Sequence, residues 1–163
     1  QDKAGKSWLE GLAEKISPFV EQLIISGQGE VPGPLRRIER IDDLPGMHGP
    51  LAGIGALFRK HPFTSWLVSA CDMPQIDARA IDWLLAQRQR PGVAVLPRNP
   101  ESGRFEPLLA CYDYRCGPLI ESLIRSGSRK ISELAEDNLV VQPEIPIDLI
   151  GCWQNVNYPD ELP

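Results

Sequence analysis

One aspartate stands where a buried strand is expected to end. Asp72 follows the apolar run 66–71 and precedes Met73 and Pro74, which force the chain to turn. A carboxylate beyond the carboxyl end of a strand lies where α/β folds bind their ligands, and Mg²⁺ is commonly held by one or two carboxylates together with substrate phosphates. Asp72 is therefore a candidate magnesium ligand. Aspartate is also among the commonest turn residues, and position alone favours that structural role.

A second candidate site is a turn rich in glycine and proline at the start of a predicted helix. Proline suits the first position of a helix, glycine lets a ligand approach the backbone, and the free N–H groups at a helix start favour anions and other acceptors. A tight turn packed against the sheet explains the same residues equally well. The residues are Gly49, Pro50, Leu51, Ala52 and Gly53.

Polar residues near the two ends of the chain are the remaining candidates. Lys3 has the charge to hold a phosphate, although a terminal lysine is more often only solvated. Asn155 and Asn157 are two positions apart, so they share one side of an extended segment. Asn157 also fits the first residue of a helix, because a proline and acidic residues follow it.

The histidines and cysteines suggest no further site. No metal or triad spacing surrounds His48 or His61, and the four cysteines form no C-x-x-C pair. The cysteines lie mostly within apolar stretches, which is typical of buried reduced thiols. Cys71 adjoins the ligand-binding crevice proposed beyond the strand ends, but with no paired histidine we expect it in the core.

The elements that must position these residues alternate between helices and strands. Apolar periodicity, caps and breakers predict helices over 7–17, 50–60 and 118–124, around 80–85, and over 130–136. Strands are predicted over 20–26, 35–41, 66–71, 93–96, 108–112 and 139–141. This alternation predicts an α/β fold with a mostly parallel central sheet between layers of helices.

Length and charge limit the class of protein. The 163 residues suit a single domain spanning 1–163. The 17 Lys and Arg against 22 Asp and Glu give a net charge of −5, which argues against a nucleic acid or an anionic membrane as the main partner. No apolar run is long enough to span a membrane and the start of the chain is no signal peptide, so we expect a cytoplasmic protein.

Four segments together resemble the molybdenum cofactor guanylyltransferase family of MobA-like nucleotidyltransferases. They are Asp-Lys-Ala at 2–4, Gly-Pro-Leu-Ala-Gly-Ile at 49–54, Cys-Asp-Met-Pro at 71–74 and Asn-Val-Asn-Tyr-Pro-Asp-Glu-Leu at 155–162. The resemblance covers essentially the whole chain in order, and it implies a three-layer, Rossmann-like nucleotidyltransferase fold. It also implies an Mg²⁺-dependent transfer of GMP from GTP to molybdopterin, with release of pyrophosphate and formation of molybdopterin guanine dinucleotide.

The resemblance assigns roles residue by residue. Lys3 corresponds to a lysine that contacts nucleotide phosphates, and Asp72 to the aspartate that binds Mg²⁺. The turn at 49–53 corresponds to the loop on the guanine side. Asp43 corresponds to an acidic position that recognises the nucleotide, although the spacing also allows Asp42. Asn155 and Asn157 correspond to the pair near the molybdopterin side of the cleft, and proteins that mature molybdoenzymes are further candidate partners.

The sequence departs from the family pattern at its start. The family signature begins with a strand and a Gly-rich loop, of which only Asp2 and Lys3 are present, and Ala4 runs directly into Gly5. We therefore expect a leading segment and a short loop outside the printed sequence. Two alternatives stay open: a cytidylyltransferase acting on the same cofactor, and a related module that binds without turnover.

Overall fold

The computed structural model describes residues 7–156. Its α-helices are α1 (Trp8–Ile16), α2 (Pro50–Lys60), α3 (Ala78–Gln87) and α4 (Gly117–Arg125). Its strands are β1 (Ile24–Ser26), β2 (Glu39–Ile41), β3 (Trp66–Val68), β4 (Ala94–Val95), β5 (Ala110–Tyr112) and β6 (Val140–Val141). Short 3₁₀ helices connect them at Ser17–Phe19, Gly33–Leu35, Tyr114–Cys116, Ile131–Glu136 and Ile147–Trp153.

The helix starts follow from local chemistry. Ser7 caps α1, because its Oγ accepts a 3.2 Å hydrogen bond from the Glu10 N–H while the Glu10 carboxylate accepts a 3.0 Å bond from the Ser7 N–H. Pro50 opens α2, and Asp77 caps α3 by accepting from the Ala80 N–H at 2.9 Å. The predicted starts of the first two helices are confirmed within one residue.

The strands form two sheets, one of two strands and one of four in the order β3-β5-β4-β6. β1 is parallel to β2 and β4 is parallel to β6, whereas β5 is antiparallel to both β3 and β4. The α/β class is confirmed, but the four-stranded sheet is mixed. The reason is local: β4 connects to β5 through a hairpin with an antiparallel bridge between Arg98 and Phe105, with no crossover helix to return the chain.

Other differences concern element length and type. The strand predicted over 20–26 is confined to Ile24–Ser26, and the one predicted over 66–71 ends at Val68. The segment at 130–136 is a 3₁₀ helix, and the 3₁₀ helix Ile147–Trp153 carries no sequence prediction. Apolar pattern alone does not tell a 3₁₀ turn from an α-helical one.

Alternation along the strands separates two hydrophobic clusters and so builds three layers. Val95 and Cys111 face the cluster that contains α1 and α3, whereas Ala94 and Tyr112 face the one that contains α2 and α4. Successive strand side chains point to opposite faces of a sheet, so the helices cover both sides. No helix in the described part of the chain is long and apolar enough to cross a membrane.

A cavity of about 1230 Å³ lies between the two sheets. All residues of β1 and β3 line it, and neither strand pairs with another described strand on that side. Apolar side chains of α1, among them Leu12 and Ile16, and Leu57 of α2 complete its walls. The cavity extends to the carboxyl ends of both strands, where polar residues enter its lining.

Candidate functional site

Asp72 lies in the turn that follows β3, half-buried and on the wall of the cavity. Its Oδ1 is buried and has no hydrogen-bond partner in the structure. A buried polar atom without a partner costs free energy, so this oxygen is a natural ligand for a cation. Among residues 7–156 no three histidine, cysteine or acidic side chains are grouped to hold a metal by themselves.

The main chain of Asp72 is tied to the carboxyl-terminal part of the described chain. Its carbonyl oxygen accepts a 2.8 Å hydrogen bond from the N–H of Val156. Val156 is 3% exposed, so its side chain anchors this segment in the protein. The neighbouring residue Asn155 is exposed. The structure therefore brings Asn155 and Asp72, which are 83 positions apart in the sequence, into one region.

Cys71 is exposed, so the prediction that it lies in the core was wrong. The strand that was predicted to bury it ends at Val68, and the chain is already turning when it reaches Cys71. Partial desolvation of the sulfur and the neighbouring Asp72 carboxylate raise the pKa of the Cys71 thiol. Because the thiolate is the reactive form, a raised pKa lowers the fraction of this thiol that can react. Cys111, Cys116 and Cys152 are buried and free, as expected.

A second group of polar atoms surrounds Gly53 in α2. A Cβ at Gly53 would lie 2.7 Å from Ser26 Oγ and 3.1 Å from Asp43 Oδ1. Ser26 is the last residue of β1, and Asp43 follows β2 by two positions. Because Gly53 lacks a side chain, both polar side chains approach the helix backbone closely. The structure thereby groups Asp43 with the turn at 49–53.

The same geometry distinguishes Asp43 from Asp42. The sequence spacing allowed either residue to be the acidic position of the loop. Asp43 is half-buried, and a Cβ at Gly27 would also contact its Oδ1 at 3.8 Å. The Asp42 carboxylate is 76% exposed and lies 3.9 Å from Arg40 Nε. Asp43 is thus the acidic side chain that faces the turn.

The start of α2 offers backbone more than side chains. Gly49 has φ +82°, a left-handed conformation that suits glycine, and no side chain caps the helix. Pro50 is exposed, whereas Leu51 and Ala52 are fully buried. Leu51 packs in the core beside α4. A ligand at this turn would therefore meet Gly49, Pro50 and main-chain atoms, while Leu51 and Ala52 hold the helix in place.

The cavity connects the two groups. Ser26 and Gly27, which contact the Gly53 and Asp43 region, line it on β1, and Cys71 and Asp72 line it after β3. Lys3 and Asn157 lie outside the described residues. Sequence reasoning missed Ser26 and the turn after it. The signal that was available is the Ser-Gly-Gln-Gly sequence at the predicted end of a strand.

A strained residue contacts the end of β3 and is held by a buried hydrogen bond. Leu109 is fully buried with φ +79°, a conformation that is costly for a residue with a side chain. Its N–H donates to the Val68 carbonyl at 2.9 Å, and its carbonyl accepts from Trp153 Nε1 at 3.0 Å. These bonds fix the end of β3, from which the turn to Asp72 begins.

Comparisons with known proteins bear on the whole chain. The family model for the MobA-like NTP transferase domain matches residues 2–140, a range that includes Asp43, Gly53 and Asp72. A probable molybdenum cofactor guanylyltransferase from Pelotomaculum thermopropionicum is 31% identical over 166 residues, covering 96% of this chain and 78% of the relative.

Solved structures agree. Molybdopterin-guanine dinucleotide biosynthesis protein A from Archaeoglobus fulgidus matches with a TM-score of 0.75 and 30% identity, covering 98% of this chain and 84% of its own. The 2-C-methyl-D-erythritol 4-phosphate cytidylyltransferase from Thermus thermophilus matches with a TM-score of 0.69 and 16% identity, covering 98% and 86%. At that identity the second likeness concerns the fold, which both crystal structures share with this chain.

Proposed function

The chain belongs to the family of MobA-like NTP transferase domains, and we propose that it transfers GMP from GTP to the phosphate of molybdopterin. An oxygen of that phosphate forms a bond to the α-phosphorus of GTP, the bond from the α-phosphorus to its bridging oxygen breaks, and pyrophosphate leaves. The product is molybdopterin guanine dinucleotide. The observation that carries the proposal is the unpartnered, buried Oδ1 of Asp72 on the cavity wall, in a chain with relatives named for this activity.

Asp72 is the proposed ligand of Mg²⁺. A lone carboxylate oxygen without a protein partner suits a cation that also binds phosphate oxygens. When bound, Mg²⁺ supplies positive charge that stabilises the phosphates during transfer. The protein's part is to position the Asp72 backbone, to which the Val156 hydrogen bond and the anchored end of β3 contribute.

The guanine side of the cleft is proposed at the turn around Gly49, Pro50 and Gly53. Guanine carries N–H donors on its Watson–Crick edge, and the Asp43 carboxylate beside Gly53 is a suitable acceptor for them. Main-chain atoms at the start of α2 meet the base where no side chain caps the helix. The reaction needs no side-chain nucleophile, because positioning and charge stabilisation suffice for phosphoryl chemistry of this kind.

The molybdopterin side is proposed at Asn155, with Asn157 beyond the described residues. The exposed Asn155 stands next to the residue that binds the Asp72 main chain, so a ligand held there is near the proposed metal. Lys3 remains the proposed phosphate contact. Proteins that mature molybdoenzymes remain candidate partners, and the cytoplasm the proposed location.

The cavity supports the expectation of a strand and a Gly-rich loop ahead of Asp2. The facing edges of β1 and β3 are free of other described strands, and apolar side chains of α1 and α2 form part of the walls between them. A strand placed there would pair with both edges and join the two sheets, and the space left at their carboxyl ends is where the nucleotide cleft is proposed. Its following loop would reach the carboxyl ends of the strands, beside Ser26 and Asp72.

Product formation tests the proposal. The protein is incubated with Mg²⁺, molybdopterin and either GTP or CTP, and pyrophosphate and the dinucleotide are measured by chromatography. We expect pyrophosphate and molybdopterin guanine dinucleotide in equal amounts with GTP, and only with molybdopterin present. Transfer from CTP in preference to GTP would make the protein a cytidylyltransferase. Binding of both substrates with no pyrophosphate released would identify a binding module and contradict the proposal.

A further inference from the structure

The turn after β1 forms part of the cavity wall. Residues 26–31 all line the cavity that Asp72 also lines. Gly27 and Gly29 have φ +94° and +155°, so this backbone is freely mobile in an unfolded chain and needs contacts to hold one shape. Gly27 lies against Asp43, since a Cβ there would be 3.8 Å from the Asp43 Oδ1. The shape of the turn therefore affects the acidic side chain on the proposed guanine side.

A single side chain of the neighbouring strand holds this turn. Arg40 lies opposite Ile25 in the parallel pairing of β1 and β2. Its Nε donates to the Gly27 carbonyl and its Nη1 to the Gly29 carbonyl, both at 3.0 Å. The N–H of Gly27 in turn donates to the Ile41 carbonyl at 2.9 Å. The guanidinium thus bridges two carbonyls two residues apart and completes a closed set of bonds between the turn and β2.

The chemistry of arginine suits this task. A guanidinium presents several N–H donors in a rigid plane, so it can bind two carbonyls at once without losing much freedom. A lysine ammonium has no such fixed fork. The Asp42 carboxylate, one position after β2, lies 3.9 Å from the Arg40 Nε. Arg40 donates its hydrogen bonds to the backbone of the turn, so it stabilises the shape of this part of the cavity wall.

We propose that Arg40 is a positioning residue, which holds the Gly27–Gly29 turn as a wall of the nucleotide cleft and thereby sets the affinity for GTP. The role rests on the proposed function, because it assumes that the cleft binds this nucleotide. Arg40 acts through the turn and through the Asp43 side chain beside it, without touching the reacting phosphates.

Three variants of the full chain test this. Arg40→Ala removes both hydrogen bonds to the turn, and Arg40→Lys keeps the charge without the planar guanidinium. Arg37→Ala is the matched control. Arg37 lies three positions earlier, is exposed, and has no side-chain hydrogen bond among the described residues. Calorimetry measures the Kd for GTP with Mg²⁺, and NMR measures hydrogen exchange of the Gly27 amide. Arg40→Ala should weaken GTP binding about tenfold and speed hydrogen exchange of the Gly27 amide, whereas Arg37→Ala should change neither.

The outcomes separate the two proposals. Arg40→Lys should remain closer to Arg40→Ala than to the wild-type protein in both measurements, and full rescue by lysine would overturn the positioning role. Unchanged exchange in Arg40→Ala, or faster exchange with an unchanged Kd for GTP, would also overturn it. If GTP binds and depends on Arg40 but molybdopterin receives no GMP, the transfer reaction fails and the positioning role stands.

Discussion

The backbone N–H of Val156 donates a 2.8 Å hydrogen bond to the carbonyl oxygen of Asp72. This bond joins the turn after β3 to the end of the described chain, and it places the exposed Asn155 next to the residue that anchors Asp72. The proposed metal ligand and the proposed molybdopterin contact are therefore held by one main-chain link.

Asn155→Ala should weaken the use of molybdopterin while leaving GTP binding intact. The side chain is exposed and its neighbour carries the structural bond, so stability should change by less than about 0.5 kcal/mol. Steady-state kinetics should show KM for molybdopterin raised about tenfold, as expected for a lost hydrogen bond. Gln154→Ala, which alters the adjacent exposed residue, is the control. Equal effects of both substitutions would remove Asn155 from the site.

Gly53→Ala should disturb the nucleotide side. The added methyl would lie 2.7 Å from Ser26 Oγ and 3.1 Å from Asp43 Oδ1, so both side chains must shift and KM for GTP should rise. Gly11→Ala is the matched control in α1, where nothing lies within 4 Å of the new Cβ, and it should stabilise the protein by about 0.5–1 kcal/mol.

A double variant sharpens that prediction. Ser26→Ala removes the hydroxyl that the new methyl would meet, and the remaining Ser26 Cβ is 3.7 Å away. If the steric conflict is the cause, Gly53→Ala should raise KM for GTP less in a Ser26→Ala background than in the wild-type background. An unchanged KM for GTP in Gly53→Ala would show that the nucleotide binds elsewhere.

Trp153→Phe should destabilise the region behind the site. It removes the donor to the Leu109 carbonyl, which is then buried without a partner in a residue already at φ +79°, at a cost of about 1–3 kcal/mol. Trp83→Phe is the comparison, because Trp83 packs against Trp153 with ring centroids 5.7 Å apart but is only partly buried. Urea unfolding measures both. Equal losses would mean that the indole hydrogen bond contributes nothing.

The Asp77 cap gives a prediction about pH. Its hydrogen bond from the Ala80 N–H, and then Arg79, lower the pKa of Asp77. A lowered folded-state pKa gives stability that is present above the unfolded value of about 3.9 and is lost as pH falls through the folded value. Asp77→Ala should cost about 1 kcal/mol at pH 7, and the difference from wild type should shrink below about pH 4.

The neutral cap tests the mechanism of that effect. Asp77→Asn should stay within a few tenths of a kcal/mol of the wild-type protein at pH 7, since asparagine is also a good cap. Thermal unfolding between pH 3 and pH 7 follows both variants. A difference between Asp77→Ala and wild type that is constant with pH would contradict the assignment.

The order of elements was predictable because it depends on local signals. Ser7 with Glu10 marked the first helix, and Pro50 the second. The antiparallel β5 was not predictable from strand alternation, because its direction depends on the hairpin at Arg98 and Phe105. The exposure of Cys71 likewise depends on where the strand stops, which apolar composition does not determine.

The site was predictable in part for the same reason. Asp72 stood out because a strand and a Pro-directed turn enclose it in the sequence. Ser26 and Arg40 did not, because their partners Gly53 and Gly29 come close only after the strands pair and α2 docks. The choice of Asp43 over Asp42 also needed the fold, since adjacent residues differ in which side they face.

The most direct test of the account is Asp72→Asn, with Asp82→Asn on the exposed side of α3 as control. The amide keeps the shape of the carboxylate but not its charge. We expect transfer of GMP to fall roughly 100-fold or more and the rise in Tm caused by Mg²⁺ with GTP to be lost, while Tm without ligands stays near the wild-type value. Asp82→Asn should retain both activity and the Mg²⁺ response. Asp72→Asn protein that transfers GMP at the wild-type rate with an ordinary Mg²⁺ requirement would contradict the assignment of this site.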